Sequence, residues 1–348
     1  MSPERRNQRA LVVSPRWGEQ ARRWLLARGV LDLTLRPGVV QRELHLPVQG
    51  DPGPELPPFP CRWESSTFVP FPSRAPRSFH DLAQVPEEYR QWLPRSYDVV
   101  GDIVVLRIPP PLAGQASRLG DALLRFVPGA RLVAWDHGVA GPERKRRLEI
   151  VAGRGSLKTT HVENGLRLEV DLERAYFSPR LASEHARVAG LSRDGERVLD
   201  LFSGLAPFSL TLLSRLRHAA SVAVDSNPGA IELARENASR ARVSERFQAV
   251  CADAGEYLAA QAPAAYDRVI ANLPHEAYKY AVQVGRVVKV GGQLHAYEIV
   301  PRGLRSRFEE ALSAPGPEQG SWLLRDRRKV HGYSPREDLL GITLERTR

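Results

Sequence analysis

Cysteine is almost missing from this chain. Its 348 residues include two, Cys61 and Cys251, far apart in the sequence, which excludes a disulfide framework and a cysteine-based metal cluster. The nine histidines fall into no H-E-x-x-H or paired spacing, so no metal is expected. No apolar run approaches the roughly 18 residues that a membrane span needs. The opening Met-Ser-Pro-Glu-Arg-Arg lacks the apolar core of a signal peptide, and the expected location is cytoplasmic. No internal repeat is evident. Lysine is scarce too, five residues against 45 arginines.

What is present reads as soluble and globular. Apolar residues make up 42% and charged residues 26% of the chain, ordinary values for a folded soluble protein. The length suffices for two or three domains. The formal net charge of +10 is less ordinary. A basic balance points to a phosphate-rich partner such as nucleic acid, although genome composition also produces arginine bias.

Residues 9–48 read as a small α/β unit. It has a strand at Arg9–Ser14, a helix from Gly18 stopped at Gly29, and a strand at Val39–Val48. Residues 1–51 are taken as an N-terminal domain. Proline then crowds residues 52–77, read as a linker with little regular structure or as an ordered arm. Residues 78–170 read as an α+β domain. They carry a short helix at Pro86–Trp92, a strand pair or one bent strand over Tyr97–Ile108, and an amphipathic helix at Ser117–Phe126. Strands follow at Arg131–Trp135, Leu148–Val151, Thr159–Glu163 and Leu166–Val170. Asn164-Gly165, between the last two, is the strongest hairpin signal in the chain.

From residue 171 to 348 strands and helices alternate. Strands are expected near Arg197–Asp200, Ser221–Asp225, Phe247–Asp253, Tyr266–Asn272 and Gln293–Ile299, with helices at Pro228–Ser239 and Glu276–Val288 among those between. A closing antiparallel pair fits Trp322–Val330 and Leu339–Leu344. The fold class is therefore α/β: a doubly wound C-terminal domain preceded by two smaller α/β or α+β domains.

The most informative stretch is Val198–Phe208, Val-Leu-Asp-Leu-Phe-Ser-Gly-Leu-Ala-Pro-Phe. It reads as strand, tight turn and helix. A second apolar strand then ends in Asp225, whose carboxylate suits a ribose diol. The turn lacks three spaced glycines, and no Lys-Ser/Thr follows. A pyrophosphate cradle is thus not expected, and a nucleoside without phosphates, such as S-adenosylmethionine, fits better. The plainer alternative is a structural βαβ turn. Ligands of open parallel sheets bind beyond the carboxyl ends of the strands, and four such ends carry Asp200, Asp225, Asp253 and Asn272. Asp253 suits an adenine exocyclic amine, though an acidic strand end is often only a helix cap. In Asn272-Leu273-Pro274 the proline stiffens the chain beside a base, and the amide offers that base a donor and an acceptor. The alternative is a plain turn with Pro at the first helical position.

With these pieces the chain resembles the archaeal and eukaryotic type of tRNA (guanine-N1)-methyltransferase, which modifies the guanosine 3′ of the anticodon. The resemblance rests on Leu93-Pro-Arg-Ser-Tyr-Asp-Val-Val-Gly-Asp-Ile, Arg144-Lys-Arg-Arg-Leu-Glu-Ile-Val-Ala-Gly and His161-Val-Glu-Asn-Gly. It continues through Tyr176-Phe-Ser-Pro-Arg-Leu-Ala-Ser-Glu, the Asp200–Phe208 turn and Asn272-Leu-Pro, and so covers nearly the whole chain.

The resemblance implies a Rossmann-like methyltransferase domain, S-adenosylmethionine as cofactor and tRNA as partner, in a monomer without membrane contact. Glu184 would take the guanine N1 proton, Arg144 would stabilise charge growing on O6, and Asn272 would hold the base edge. The cofactor would meet Tyr176, Asp200, Phe202, Gly204, Asp225, Ser226, Asp253, Ala254, Asn272 and Pro274. Plainer readings stand beside these. Glu184 lies in a first helical turn, where a carboxylate offsets the dipole; Arg144 belongs to the run Arg144-Lys145-Arg146-Arg147, which suits a phosphate-facing patch. His161 and Asn164 are read as hairpin residues within possible reach of RNA. The family usually has Gly at the position of Ala206, where an added methyl is expected to crowd the cofactor. A related wybutosine-pathway aminocarboxypropyltransferase usually carries Asn-Pro-Pro in place of Asn272-Leu273-Pro274. A catalytically silent tRNA-binding relative is the third reading, and a relative recruited to another RNA or a small molecule is the fourth.

Overall fold

The computed structural model describes residues 6–70, 76–140, 145–313 and 320–348. Two compact units are distinguished, residues 1–77 and residues 78–348.

The first unit contains β1 (Arg6–Val13), α1 (Gly18–Ala27), β2 (Gly38–Val40), β3 (Glu43–Pro47) and β4 (Cys61–Phe68), with an antiparallel sheet in the order β2-β3-β1-β4. The two-residue period of a strand sorts the buried end of β1. Leu11 and Val13 pack with Ala21 and Leu25 of α1, while Ala10 and Val12 meet Leu35 and Phe68 on the other face. Two expectations are corrected here. Val39–Val48 is a hairpin rather than one strand, turned by Gln41 and Arg42 at φ 49° and 68°. Such a turn normally advertises itself with Asn-Gly, and these two residues give no such signal. The proline-rich stretch is not merely linker, since β4 lies within it and pairs with β1 from Arg6↔Phe68 to Val13↔Cys61.

The second unit opens with β5 (Asp98–Val100), β6 (Ile103–Leu106), α2 (Ala116–Phe126), β7 (Leu132–Ala140) and β8 (Lys145–Gly153). Their sheet has the order β5-β6-β7-β8, and one face receives Leu119 and Leu123 of α2. A 3₁₀ turn, Glu87–Trp92, stands where the short helix was expected. The hairpin of β9 (Lys158–Glu163) and β10 (Leu166–Asp171) turns at Asn164-Gly165, both at positive φ, as the sequence predicts. Its Leu166, Leu168 and Val170 share one apolar core with Val100 and Ile103 before it and with residues after position 171. No break in the core falls at residue 170.

The remaining elements are α3 (Ala182–Leu191), β11 (Arg197–Leu201), α4 (Pro207–Arg215), β12 (Ala220–Asp225), α5 (Pro228–Arg240), β13 (Phe247–Cys251) and α6 (Ala254–Ala259). They continue as β14 (Tyr266–Ala271), α7 (Ala281–Val287), β15 (Val288–Pro301), α8 (Arg307–Ser313), β16 (Trp322–Ser334) and β17 (Glu337–Arg346). One seven-stranded sheet runs β13-β12-β11-β14-β15-β17-β16. The first five strands are parallel, and β17 enters antiparallel between β15 and β16. Buried apolar side chains cover both faces, as a doubly wound sheet requires. Strand order reverses between β11 and β14, and a crevice at such a switch point is where these sheets bind ligands. No helix among the described residues is long and apolar enough to cross a membrane.

Candidate active site

The turn after β11 is built on strained backbone. Phe202, Gly204 and Ala206 alternate at φ 58°, 55° and 62°. Only glycine enters this region without steric cost, so the surrounding bonds must hold the other two. Ser203 N–H donates to the Val224 carbonyl at 3.1 Å, and Ala206 N–H to that of Ser203 at 2.9 Å. Gly204 N–H donates to Asp225 Oδ2 at 2.8 Å, and the other Asp225 oxygen accepts from Asn227 N–H at 2.9 Å. Asp225 thus ties the first turn to the second strand end. Pro207 then starts α4, where its missing N–H costs nothing.

Asp200 is held inside the fold, its Oδ1 without a partner among the described residues. It is fully buried, and its Oδ2 accepts from Ser209 Oγ at 2.7 Å and Ser209 N–H at 3.2 Å. Burial pushes its carboxyl up to about 7, with the Asp225 charge adding to the rise and the Ser209 bonds opposing it. Its contribution to the site is to anchor α4 beneath the turn.

Asp253 is an N-cap, its Oδ1 accepting from Gly255 N–H at 2.8 Å and Glu256 N–H at 3.1 Å. Ala254 is buried at the start of α6 and Ser226 is exposed beyond β12. The Phe202 ring lies 5.4 Å from that of Tyr280, an aromatic the sequence reading did not select. Tyr280 packs so closely on the start of α6 that a methyl at Gly255 would meet its ring at 3.3 Å. Asn272 directly follows β14 with its Oδ1 buried and without a partner among the described residues, and the Pro274 carbonyl accepts from Ile299 N–H at 3.0 Å. A buried amide oxygen with nothing to accept is costly. It marks a place where a ligand donor fits, and together with Gly204 and Asp225 it suits a nucleoside cofactor.

Glu184 lies one layer away, in the first turn of α3. It is 5% exposed. Its carboxylate accepts from Tyr297 Oη at 2.8 Å, from Arg187 Nε at 3.1 Å and from Arg328 Nε at 2.9 Å, with a second, shorter bond from Arg328 Nη2. Burial alone would push this carboxyl up. The hydrogen bonds from Arg328 and Tyr297 and the charges of Arg187 and Arg328 outweigh it, holding the group below its ordinary range. Tyr297 and Arg328 escaped the sequence reading, because they stand 113 and 144 positions away from Glu184.

Tyr176 is 46% exposed. The Arg146 guanidinium sits over its ring at 4.7 Å, itself paired with Asp136 at 3.5 Å and Asp98 at 4.0 Å. Arg144 lies outside the described residues. His161 and Asn164 do structural work: His161 Nδ1 accepts from Gly101 N–H at 3.2 Å, and Asn164 Nδ2 donates to the Ala182 carbonyl at 2.9 Å, fastening the hairpin to α3.

Comparison with known proteins bears on this arrangement. The TRM5/TYW2 methyltransferase domain matches residues 159–314, and the TYW2 N-terminal domain matches residues 82–156. The tRNA (guanine(37)-N(1))-methyltransferase Trm5b of Pyrococcus abyssi is 33% identical over 344 residues, covering 96% of this chain and 97% of that protein. The chain belongs to the TRM5/TYW2 methyltransferase family. Among members of this family, the tRNA(Phe) (4-demethylwyosine(37)-C(7)) aminocarboxypropyltransferase of Pyrococcus horikoshii is 26% identical, covering 64% of this chain and 78% of its own. The crystal structure of Trm5b from Pyrococcus abyssi superposes with a TM-score of 0.72 at 30% identity, covering 97% of this chain and 99% of that one. A complex of aTrm5 with tRNALeu gives 0.71 at 27% identity, with coverage of 97% and 99%. The Methanocaldococcus jannaschii Trm5 structure with adenosine gives 0.65 at 26% identity, with coverage of 98% and 99%.

The Ala206 expectation changes in this light. The methyl is fully buried in the apolar core, so it does not crowd a ligand. Glycine is usual here because the backbone is left-handed, and alanine tolerates that conformation at a cost of about 1–2 kcal/mol.

Proposed function

We propose that this TRM5/TYW2 family member transfers a methyl group from S-adenosylmethionine to N1 of the tRNA guanosine 3′ of the anticodon, position 37. What carries the reading is the relationship, over nearly the whole chain, to a tRNA (guanine(37)-N(1))-methyltransferase. The site chemistry fits it.

S-adenosylmethionine supplies an electrophilic methyl when bound. We assign its ribose to Asp225, whose carboxylate ties the turn to the second strand end and suits a diol. Phe202, Gly204 and Ser226 would form the walls, Asp253 and the Ala254 amide would meet the adenine, and Tyr176 would line the approach. Asp200 would act indirectly, through the turn. Asn272 and the Pro274 turn would hold the guanine edge. Guanine N1 carries a proton at neutral pH, so a base within hydrogen-bond reach is required. Glu184 is our assignment for that base. Arg144 remains our candidate for the O6 charge, while Arg146 of β8 would order Tyr176. We take the N-terminal unit and the arginine-rich surface to dock the tRNA, with strong salt dependence. A cytoplasmic monomer acting on a flipped-out base completes the reading.

The test is transfer of labelled methyl to a tRNA transcript, mapped by nuclease digestion and mass spectrometry. A transcript with adenosine at the target position and the Glu184→Gln variant serve as controls. Label on N1 of the target guanosine, lost in both controls, is the expected outcome. The match of residues 82–156 to a TYW2 N-terminal domain favours a second reading, aminocarboxypropyl transfer, which the mass of the product separates from the first.

A further inference from the structure

The Glu184 carboxylate is not symmetrically engaged. Oε2 receives Arg328 Nη2, Tyr297 Oη at 2.8 Å and Arg187 Nε at 3.1 Å. Oε1 receives Arg328 Nε alone, at 2.9 Å, among the described residues. A carboxylate oxygen offers about two lone-pair sites, so Oε2 is saturated and Oε1 has one left. The three donors come from three different elements, α3, β15 and β16. Tyr297 is 1% exposed and cannot swing away without opening the core. Arg328 is further held by Asp326 on its own strand. Together they fix the carboxylate plane, which a lone first-turn glutamate would not need.

We propose that Arg328, supported by Tyr297, is a positioning residue for proton transfer: its fork clamps Glu184 so that Oε1 is the oxygen that receives the guanine N1 proton. This rests on Glu184 being the base, as proposed above. In the step itself the N1–H bond breaks, its electron pair stays on nitrogen, and an Oε1 lone pair takes the proton. Glutamate becomes the neutral acid and afterwards returns the proton to water. Neutral glutamic acid binds a guanidinium less strongly than the carboxylate does, so the clamp slackens as the proton arrives. The clamp therefore sets how strong a base Glu184 can be.

The charged and titratable groups facing the carboxylate are Arg187 from α3, Tyr297 and the neighbouring His295 from β15, and Arg328 with Asp326 from β16. His295 is buried and held neutral, its acidity raised further by the charges of Arg268, Arg187 and Arg328. Arg328 thus acts on both groups, lowering His295 as well as Glu184, and the Glu184 resonance is the readout that tells them apart.

Two measurements on the full chain test this. One is the pH dependence of single-turnover methyl transfer. The other is a ¹³C NMR titration of side-chain carboxyls in the free protein, with the Glu184 resonance identified by its absence in Glu184→Gln. Arg328→Gln is expected to raise both the acid limb and the NMR midpoint by at least about one pH unit, because a full charge and two hydrogen bonds are withdrawn. Arg328→Lys keeps the charge without the fork and should fall between, with Tyr297→Phe giving a smaller shift of the same sign; these two keep the test alive if Arg328→Gln does not fold. A lower rate with both midpoints unmoved would make Arg328 merely structural and overturn the inference. An NMR midpoint that rises while the acid limb stays would instead show that Glu184 is not the base, and both readings fall.

Discussion

Asp200 and Glu184 are both buried carboxyl groups in the same body of the protein, and their surroundings drive them in opposite directions. Asp200 has a hydroxyl and an amide for partners and a second carboxylate, Asp225, nearby. Glu184 has two guanidinium groups and a phenol. Burial penalises both. Cations decide the outcome, for Asp200 rises to about 7 while Glu184 falls below its ordinary range. Asp200 keeps its proton to higher pH and uses its carboxyl to anchor a helix. Glu184 is held as a carboxylate by donors that fix its orientation. The contrast separates the scaffold of the turn from the residue proposed to do chemistry.

Isosteric acid-to-amide substitutions put this to the test. Glu184→Gln should lower methyl transfer by about 10²–10⁴-fold, the usual worth of a general base, while tRNA binding measured by filter retention stays intact. Retention of activity would break the contrast at once. Its melting temperature should also drop, with a particular pH signature. A folded-state pKa below the unfolded one gives stability that is present above the unfolded value of about 4.5 and lost as pH falls through the folded value. The deficit of Glu184→Gln should accordingly appear at neutral pH and close in acid. Tyr297→Phe, read by thermal melts at pH 7, should cost about 1.5–3 kcal/mol, the worth of a hydrogen bond to a charged group.

Asp200→Asn should act in the other direction. A folded-state pKa of about 7, above the unfolded 3.8, gives stability that is complete below 3.8 and lost as pH rises through 7. The amide escapes that loss, so the variant should gain about 1–2 kcal/mol over the parent at pH 8, from the cost of burying an ill-matched polar group. Scanning calorimetry between pH 4 and 8 should show the gain shrinking toward acid. A variant that melts lower at pH 8 would mean that the fold stabilises the ionised carboxylate, so that its carboxyl is not raised. Ala206→Gly is the smallest effect. Relief of about 1–2 kcal/mol of left-handed strain is offset by about 0.5–1 kcal/mol of added chain entropy. Net stability should rise by no more than about 1.5 kcal/mol, and cofactor affinity by calorimetry should move less than about two-fold.

Local chemistry was readable wherever a residue type had few alternatives. Asn164-Gly165 turns the hairpin, Gly29 ends α1 at φ 67°, and the apolar runs ending in Asp225 and Asn272 are strands of the expected sheet. The turn at Gln41-Arg42 was hidden because neither residue favours positive φ. β4 was hidden by the prolines on either side of it, its order coming from eight pairings with β1 rather than from its own composition. The acidic strand ends divided in ways no pattern announces: Asp200 points inward, Asp225 binds the turn and Asp253 caps a helix. The partners of Glu184 were out of reach for a different reason. Arg328 is one arginine among 45, and only the pairing of β16 with β17 and of β17 with β15 brings it to α3.

That same pairing has a consequence for how the protein is made. β17 follows β16 in sequence, yet it occupies an interior place between β15 and β16. As the polypeptide emerges from the ribosome, β15 lacks one of its two neighbours and β16 has no partner until β17 arrives. Glu184 is synthesised long before Arg328, and a nascent chain holds it without its clamp. The clamp on the proposed base is thus a late event of synthesis, waiting for β17 to join β15 to β16, and a truncation within β17 would leave the whole cofactor edge with its proposed base unsecured.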